Sequence, residues 1–81
     1  MDKQKITVRV AGKNYTLVSA DPQEYILRVA DFAERRLNEM SALTNQSPNA
    51  AAVLACIQLS DELLKSQEEV SLLRRQLENI Q

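Results

Sequence analysis

The chain has no histidine, one cysteine, Cys56, and one glycine, Gly12, among its 81 residues. Without histidine the usual nucleophile–base pairs and zinc ligand sets cannot be assembled, and without a glycine-rich loop there is no cradle for phosphate groups. A lone cysteine cannot form an internal disulfide. The adjacent carboxylates Asp61-Glu62 and Glu68-Glu69 diverge around a helix and do not converge on a shared proton. Catalytic, cofactor-binding and metal-ligating residues are therefore all expected to be none, and the chain reads as a non-enzyme. Long apolar runs are missing too: the longest, Ala50 to Ile57, falls far short of the ~20 residues that a bilayer span requires. An opening of Met1-Asp2-Lys3, with no basic stretch leading into an apolar run, shows no secretory signal, and together with the single thiol it favours a reducing cytoplasm.

The net charge of -1 and a pI near 5.3 argue against a nucleic-acid footprint. The balance is uneven, however, because residues 1–20 carry Lys3, Lys5, Arg9 and Lys13 against Asp2 alone. That basic end reads either as solvated charge on a small strand pair or as a face for an acidic protein partner. A chain this short removes a comparatively small share of its surface from water when it folds. Small scaffolds compensate with disulfides, a metal or oligomerisation, and only the last is open to this sequence.

From Lys5 to Val10 the residues alternate, with Ile6, Val8 and Val10 on one side and Lys5, Thr7 and Arg9 on the other, which is the period of a half-buried strand. A second run, Asn14 to Ser19, sets Tyr15 and Leu17 against Thr16 and Val18. Between them Ala11-Gly12-Lys13-Asn14 supplies glycine and asparagine, which tolerate the positive φ of a tight turn, so the first twenty residues read as a β-hairpin. Asp21-Pro22-Gln23-Glu24 then reads as a helix start, with Asp21 as the cap, Pro22 in the first turn and Glu24 at the capping-box position. Ile26, Val29, Ala33, Leu37 and Met40 follow at steps of three and four and predict one apolar stripe, widened by Tyr25 and Phe32. On the polar face Asp31 and Arg35 form an i, i+4 pair. Periodicity is lost over Ser41 to Ser47.

Ser47 can cap and Pro48 can open a second helix, after which no breaker intervenes up to Ile80. At 1.5 Å per residue this helix would be roughly 50 Å long, so it must project beyond the head. A heptad register runs through it, with Cys56, Leu63, Val70 and Leu77 at a positions and Leu59, Ser66, Leu73 and Ile80 at d positions. Sustained a/d apolarity is the signature of a supercoiled pair. Glu62, Glu69 and Gln76 fall at g and Gln67, Arg74 and Gln81 at e, so that in a parallel pair Glu69 would meet Arg74 of the other copy. Such an exposed pair contributes only ~0.2 to 1 kcal/mol and tunes alignment more than strength. Val53, Leu54, Ile57 and Leu64 add apolar positions outside the seam, and this broader half is expected to pack on the hairpin and first helix. The pattern leaves parallel or antiparallel pairing, and dimer or tetramer, open. The fold class is α+β: residues 1–46 form a small β-hairpin and helix head that binds a partner, and residues 47–81 form a long helix that completes the head and then oligomerises as a coiled coil.

The order of these features, with a hairpin turned at Gly12, a helix entered through Asp21-Pro22 and a long helix containing Ala55-Cys56-Ile57-Gln58-Leu59-Ser60-Asp61-Glu62-Leu63, resembles the ZapA family of bacterial cell-division proteins. The similarity covers nearly the whole chain. The resemblance implies a cytoplasmic protein at the division site whose heads bind the tubulin-like GTPase FtsZ. It also implies that the coils join those heads into homodimers or homotetramers that bundle protofilaments. Under that reading the head's contact surface is expected at Arg9 on the strand, Lys13 and Asn14 at the turn, and Arg28, Arg35 and Arg36 on the first helix; Lys13, beside Gly12, sits where the family often carries a basic residue. Two other readings fit the residues: a coiled-coil adaptor for an unrelated partner, and a small nucleic-acid-binding regulator using the basic hairpin, the latter opposed by the acidic remainder of the chain.

Overall fold

A computed structural model describes residues 2–45 and 47–80; the expected head boundary at Gln46 and the e position at Gln81 lie outside the described residues. Four elements follow in order: β1 (Gln4–Val10), β2 (Lys13–Ser19), α1 (Gln23–Thr44) and α2 (Pro48–Asn79). The strands pair antiparallel in a register that sets Val8 against Tyr15 and Val10 against Lys13. The hairpin loop is therefore Ala11-Gly12, and both residues have positive φ, +53° and +80°. That is the combination which matches the right-handed twist of the flanking strands. Asn14, expected to help form the turn, is instead a strand residue opposite Arg9.

α1 lies across β1 and leaves β2 uncovered. Ile6 and Val8 from the strand and Ile26 and Ala30 from the helix make the buried core, with Val10 at its margin. Ala30 replaces Val29 in the expected stripe, because the face turned to the sheet steps through Ile26, Ala30, Ala33 and Leu37, and Val29 lies at its margin, 43% exposed. A small side chain at the centre of that face lets the helix come close to the strand. With no helix over β2, Tyr15 and Leu17 remain exposed although they are on the inner face.

The start of α1 differs from the expectation. Pro22 is the N-cap residue, in extended geometry, and no side chain caps the helix. Asp21 stands one position too early to reach the free amides; its own N–H donates to Ser19 Oγ at 2.9 Å. The helix also runs further than expected, to Thr44, and stops at Asn45, whose φ of +52° is left-handed and whose N–H donates to the Ser41 carbonyl. Ser47 then caps α2 as its sequence suggests, accepting from the Ala50 N–H at 3.3 Å, with Pro48 in the first turn.

α2 folds back on α1 through Ala51 and Ala55, both buried. No Cα of α2 comes within 8 Å of a strand, so the three layers are hairpin, α1 and α2 in that order. Val53, Ile57 and Leu64, expected to pack on the head, are exposed instead. The reason is rotational: the stripe that meets α1 includes Ala51, Ala55, Gln58 and Glu62, whose small residues permit close helix approach; Leu54, also expected to pack on the head, is half-buried, and Val53, Ile57 and Leu64 fall outside that stripe. With 32 residues α2 is about 48 Å long, against a largest dimension of 52 Å for the molecule.

Candidate functional site

The head and the long helix are joined at one polar cluster. The Arg36 guanidinium donates from Nη2 to Glu62 Oε1 at 3.0 Å and from Nη1 to Gln58 Oε1 at 3.1 Å, and Nη1 also pairs with Glu62 Oε2. Its plane lies over the Phe32 ring, 5.3 Å from the centroid, and only 13% of the side chain is exposed. A two-pronged arginine–carboxylate contact of this kind fixes geometry as well as supplying attraction. The hydrogen bond from Arg36 holds the Glu62 carboxyl below its ordinary range, and the same bond raises Arg36. Glu62, at a g position in the heptad, is thus engaged within its own chain.

Beyond Glu62 every described side chain of α2 is exposed. The seam residues Cys56, Leu59, Leu63, Ser66, Val70, Leu73, Leu77 and Ile80 lie on one stripe by their 3.5-residue spacing. Leu59 is half-buried beside α1, and Cys56 is exposed. From Leu63 to Ile80 the apolar seam members keep between 42% and 79% of their surface in water. Val53 and Ile57 form a second exposed strip, and with Ala52, Cys56 and Ser60 they line a shallow depression next to the seam. An apolar surface this long on a small chain marks an interaction site.

The basic candidates do not gather into one patch. Arg9 and Asn14 are cross-strand partners on the outer face of the hairpin, where Lys5 and Thr7 also point, and Thr7 Oγ1 meets Thr16 Oγ1 at 3.3 Å. Lys13 is on the other face, lining a hollow with Tyr15, Leu37, Asn38 and Pro48 near the start of α2. Arg28 and Arg35, seven residues apart, share the outer stripe of α1; Arg28 stacks on Tyr25 at 5.8 Å and Arg35 pairs with Asp31 at 2.8 Å as its spacing predicts. Arg36 is taken up in the joint. Two contacts were not anticipated from the sequence. Glu34 Oε1 accepts the Ala11 N–H at 3.2 Å, pinning the hairpin turn to α1, and the Arg36–Glu62 pair links residues far apart in the chain. The aromatic–arginine spacings Tyr25/Arg28 and Phe32/Arg36 were the available signal for the stacking.

No described helix is long and apolar enough to cross a membrane. The arrangement defines a class: a small α+β head of one hairpin and one helix, carrying a long projecting helix with an exposed apolar seam. Residues 6–81 match the family model described as cell division protein ZapA, and the chain belongs to that family. It is 34% identical to the cell division protein ZapA of Geobacillus kaustophilus over 76 residues, 93% of this chain and 84% of that one. With the ZapA of Oceanobacillus iheyensis it shares 29% identity over 73 residues, covering 89% and 85% of the two chains. Among solved structures, one described as a ZapA mutant dimer from Geobacillus stearothermophilus superposes with a TM-score of 0.81 at 34% identity, covering 96% of this chain and 92% of that one.

Proposed function

We propose that this cell-division protein is a non-enzymatic crosslinker: copies pair through the α2 seam into homodimers or homotetramers, and their heads bind FtsZ in the cytoplasm at the division site, bundling protofilaments. The observation that carries the reading is the seam itself, the row Leu63, Val70, Leu73, Leu77 and Ile80, whose side chains its own chain leaves largely in water. Two or more weak heads on a stiff spacer gain avidity on a filament that repeats the same site, so no single contact has to be strong. A solved relative described as a dimer agrees with the pairing.

For the head, the outer hairpin face supports the role best. Lys5 and Arg9 stand there with Asn14 and Thr16, and no carboxylate shares the strand face. Lys13, beside the turn on the other face, and Arg28 and Arg35 on α1 add separate basic groups to the head, whereas Arg36 acts through the joint. The test is cosedimentation with FtsZ polymers at several salt concentrations. Arg9→Glu combined with Lys13→Glu should abolish sedimentation and bundling with the oligomer's mass unaltered, and Arg35→Glu should weaken both. Unchanged bundling by intact oligomers of both variants would overturn the assignment.

A further inference from the structure

The hairpin keeps an open edge along β2. Its two-residue loop makes the flanking Val10 and Lys13 a hydrogen-bonded pair, and from there bonded and non-bonded pairs alternate. Arg9 with Asn14, Thr7 with Thr16 and Lys5 with Val18 are therefore the non-bonded pairs, and the 3.3 Å contact between the two threonine hydroxyls fits the closer side-chain approach of such a pair. The backbone N–H and C=O groups of Asn14, Thr16 and Val18 consequently point away from β1, where no backbone partner among the described residues takes them up. Edges of this kind are normally blunted by proline, a bulge or several charges. β2 has no proline, its register runs unbroken from Lys13 to Ser19, and its one charge, Lys13, is at the turn end.

A strand added at this edge meets two unlike faces. On the inner side Tyr15 and Leu17 are 51% and 40% exposed, and they border a groove of about 320 Å³ that Val10, Val29, Ala33 and Leu37 also line. On the outer side Lys5 and Arg9 stand opposite Val18 and Asn14, one strand spacing of about 4.8 Å in from the edge, a distance their long side chains span. Neither cation has an ion-pair partner among the described residues, and residues 3–20 contain no carboxylate. We propose that the β2 edge takes up an extended acidic segment of the partner protein as a third strand, with apolar side chains turned inward over Tyr15 and Leu17 and carboxylates alternating outward toward Lys5 and Arg9. The occupant follows from charge complementarity. A second copy of β2 brings no carboxylate to these cations, and this chain's own carboxylates from Glu24 to Glu78 are all held in helices. The β1 edge is the poorer host, because α1 already closes its inner side over Ile6 and Val8. Main-chain hydrogen bonds supply affinity in such an addition, and the alternation supplies selectivity.

This inference rests on the head being the partner-binding surface, and the experiment separates the two. The probes are FtsZ polymers and a blocked synthetic peptide of about ten residues alternating glutamate and valine, long enough to span β2; a peptide alternating lysine and valine is the control. Amide exchange in the unmodified protein is followed by NMR. With the glutamate peptide at about ten times its Kd, the Asn14, Thr16 and Val18 amides should exchange about tenfold more slowly, those of Lys5, Thr7 and Arg9 should be unaltered, and the lysine peptide should protect none. Thr16→Pro deletes an outward N–H without breaking the hairpin ladder, and it should weaken cosedimentation with FtsZ polymers about tenfold with the oligomer's mass unaltered. If Thr16→Pro sediments as the unmodified protein does, or the glutamate peptide at up to about 1 mM protects no β2 amide, the inference fails while the FtsZ reading stands. If the unmodified protein does not sediment with FtsZ but the glutamate peptide protects the β2 edge, the FtsZ reading fails and the acidic-strand site stands. Equal protection by the lysine peptide, or protection that grows with protein concentration alone and so assigns the edge to a second copy, overturns the proposal.

Discussion

Replacing Leu73 by glutamate tests the seam most directly, because Leu73 is a d position in the half of α2 where every described side chain is exposed. It is 51% exposed, so neighbours on its own helix already cover about half of it and pairing can remove only the rest. Of the ~1.5–3 kcal/mol released on fully burying a leucine, that leaves about 1 kcal/mol per copy, or about 2 kcal/mol for a pair. Two carboxylates brought into the seam add desolvation and mutual repulsion on top, so this figure is a floor. It corresponds to association weakened at least ~30-fold. Light scattering coupled to size exclusion, over about 1 to 100 µM, should show the midpoint of mass against concentration moving up by that factor or more. Circular dichroism of the variant should retain the head's signal. A mass curve superimposing on that of the unmodified protein would refute the argument, since no other role for Leu73 predicts an effect on mass.

Three further outcomes follow from the fold. Ala11 holds a left-handed conformation that suits asparagine better, so Ala11→Asn should stabilise the hairpin by about 0.5 to 1 kcal/mol and raise Tm by a few degrees; an unaltered or lower Tm would mean that the turn is not of this type. Ala55 is 4% exposed between the helices, and Ala55→Leu should overpack the joint by ~1 to 3 kcal/mol, read as a lower urea midpoint. Because Arg36 lowers the Glu62 carboxyl below its ordinary value of 4.5, the unfolded chain binds that proton more readily than the folded one. The stability due to the pair is therefore complete above about pH 4.5 and is lost as pH falls through the lower folded value. Thermal melts of the unmodified protein and Glu62→Gln, compared from about pH 7 to about pH 3, should converge at the acid end; a constant gap would contradict the linkage.

Much of this molecule was legible in local pattern. Alternation at Ile6, Val8 and Val10 marked the strand, Ser47-Pro48 marked the start of α2, and the spacing from Cys56 to Ile80 marked a seam, because each depends on residues within a turn or two of one another. Which side of an element meets which neighbour was decided elsewhere. Val29 and Ala30 are equally compatible with an apolar stripe, and the close approach of α1 to β1 chose the smaller one. Val53, Ile57 and Leu64 have the hydrophobicity of core residues, but α2 turned its alanines to α1 and left them out.

The basic residues show the same division. Charge type and position identified Arg9, Lys13, Asn14, Arg28, Arg35 and Arg36 as one group, whereas the tertiary structure spread them over the sheet face, the turn edge, the outer stripe of α1 and the joint. Arg36 and Glu62 are 26 residues apart, and no periodicity within either helix selects that pair. The sequence alone determined that the chain makes a hairpin, two helices and a projecting apolar seam, since hydrogen bonding and hydrophobic periodicity act over neighbouring residues. Only the tertiary structure decided how α2 leaves the head and which apolar faces remain for another chain, because those depend on the rotation of one packed helix against the next.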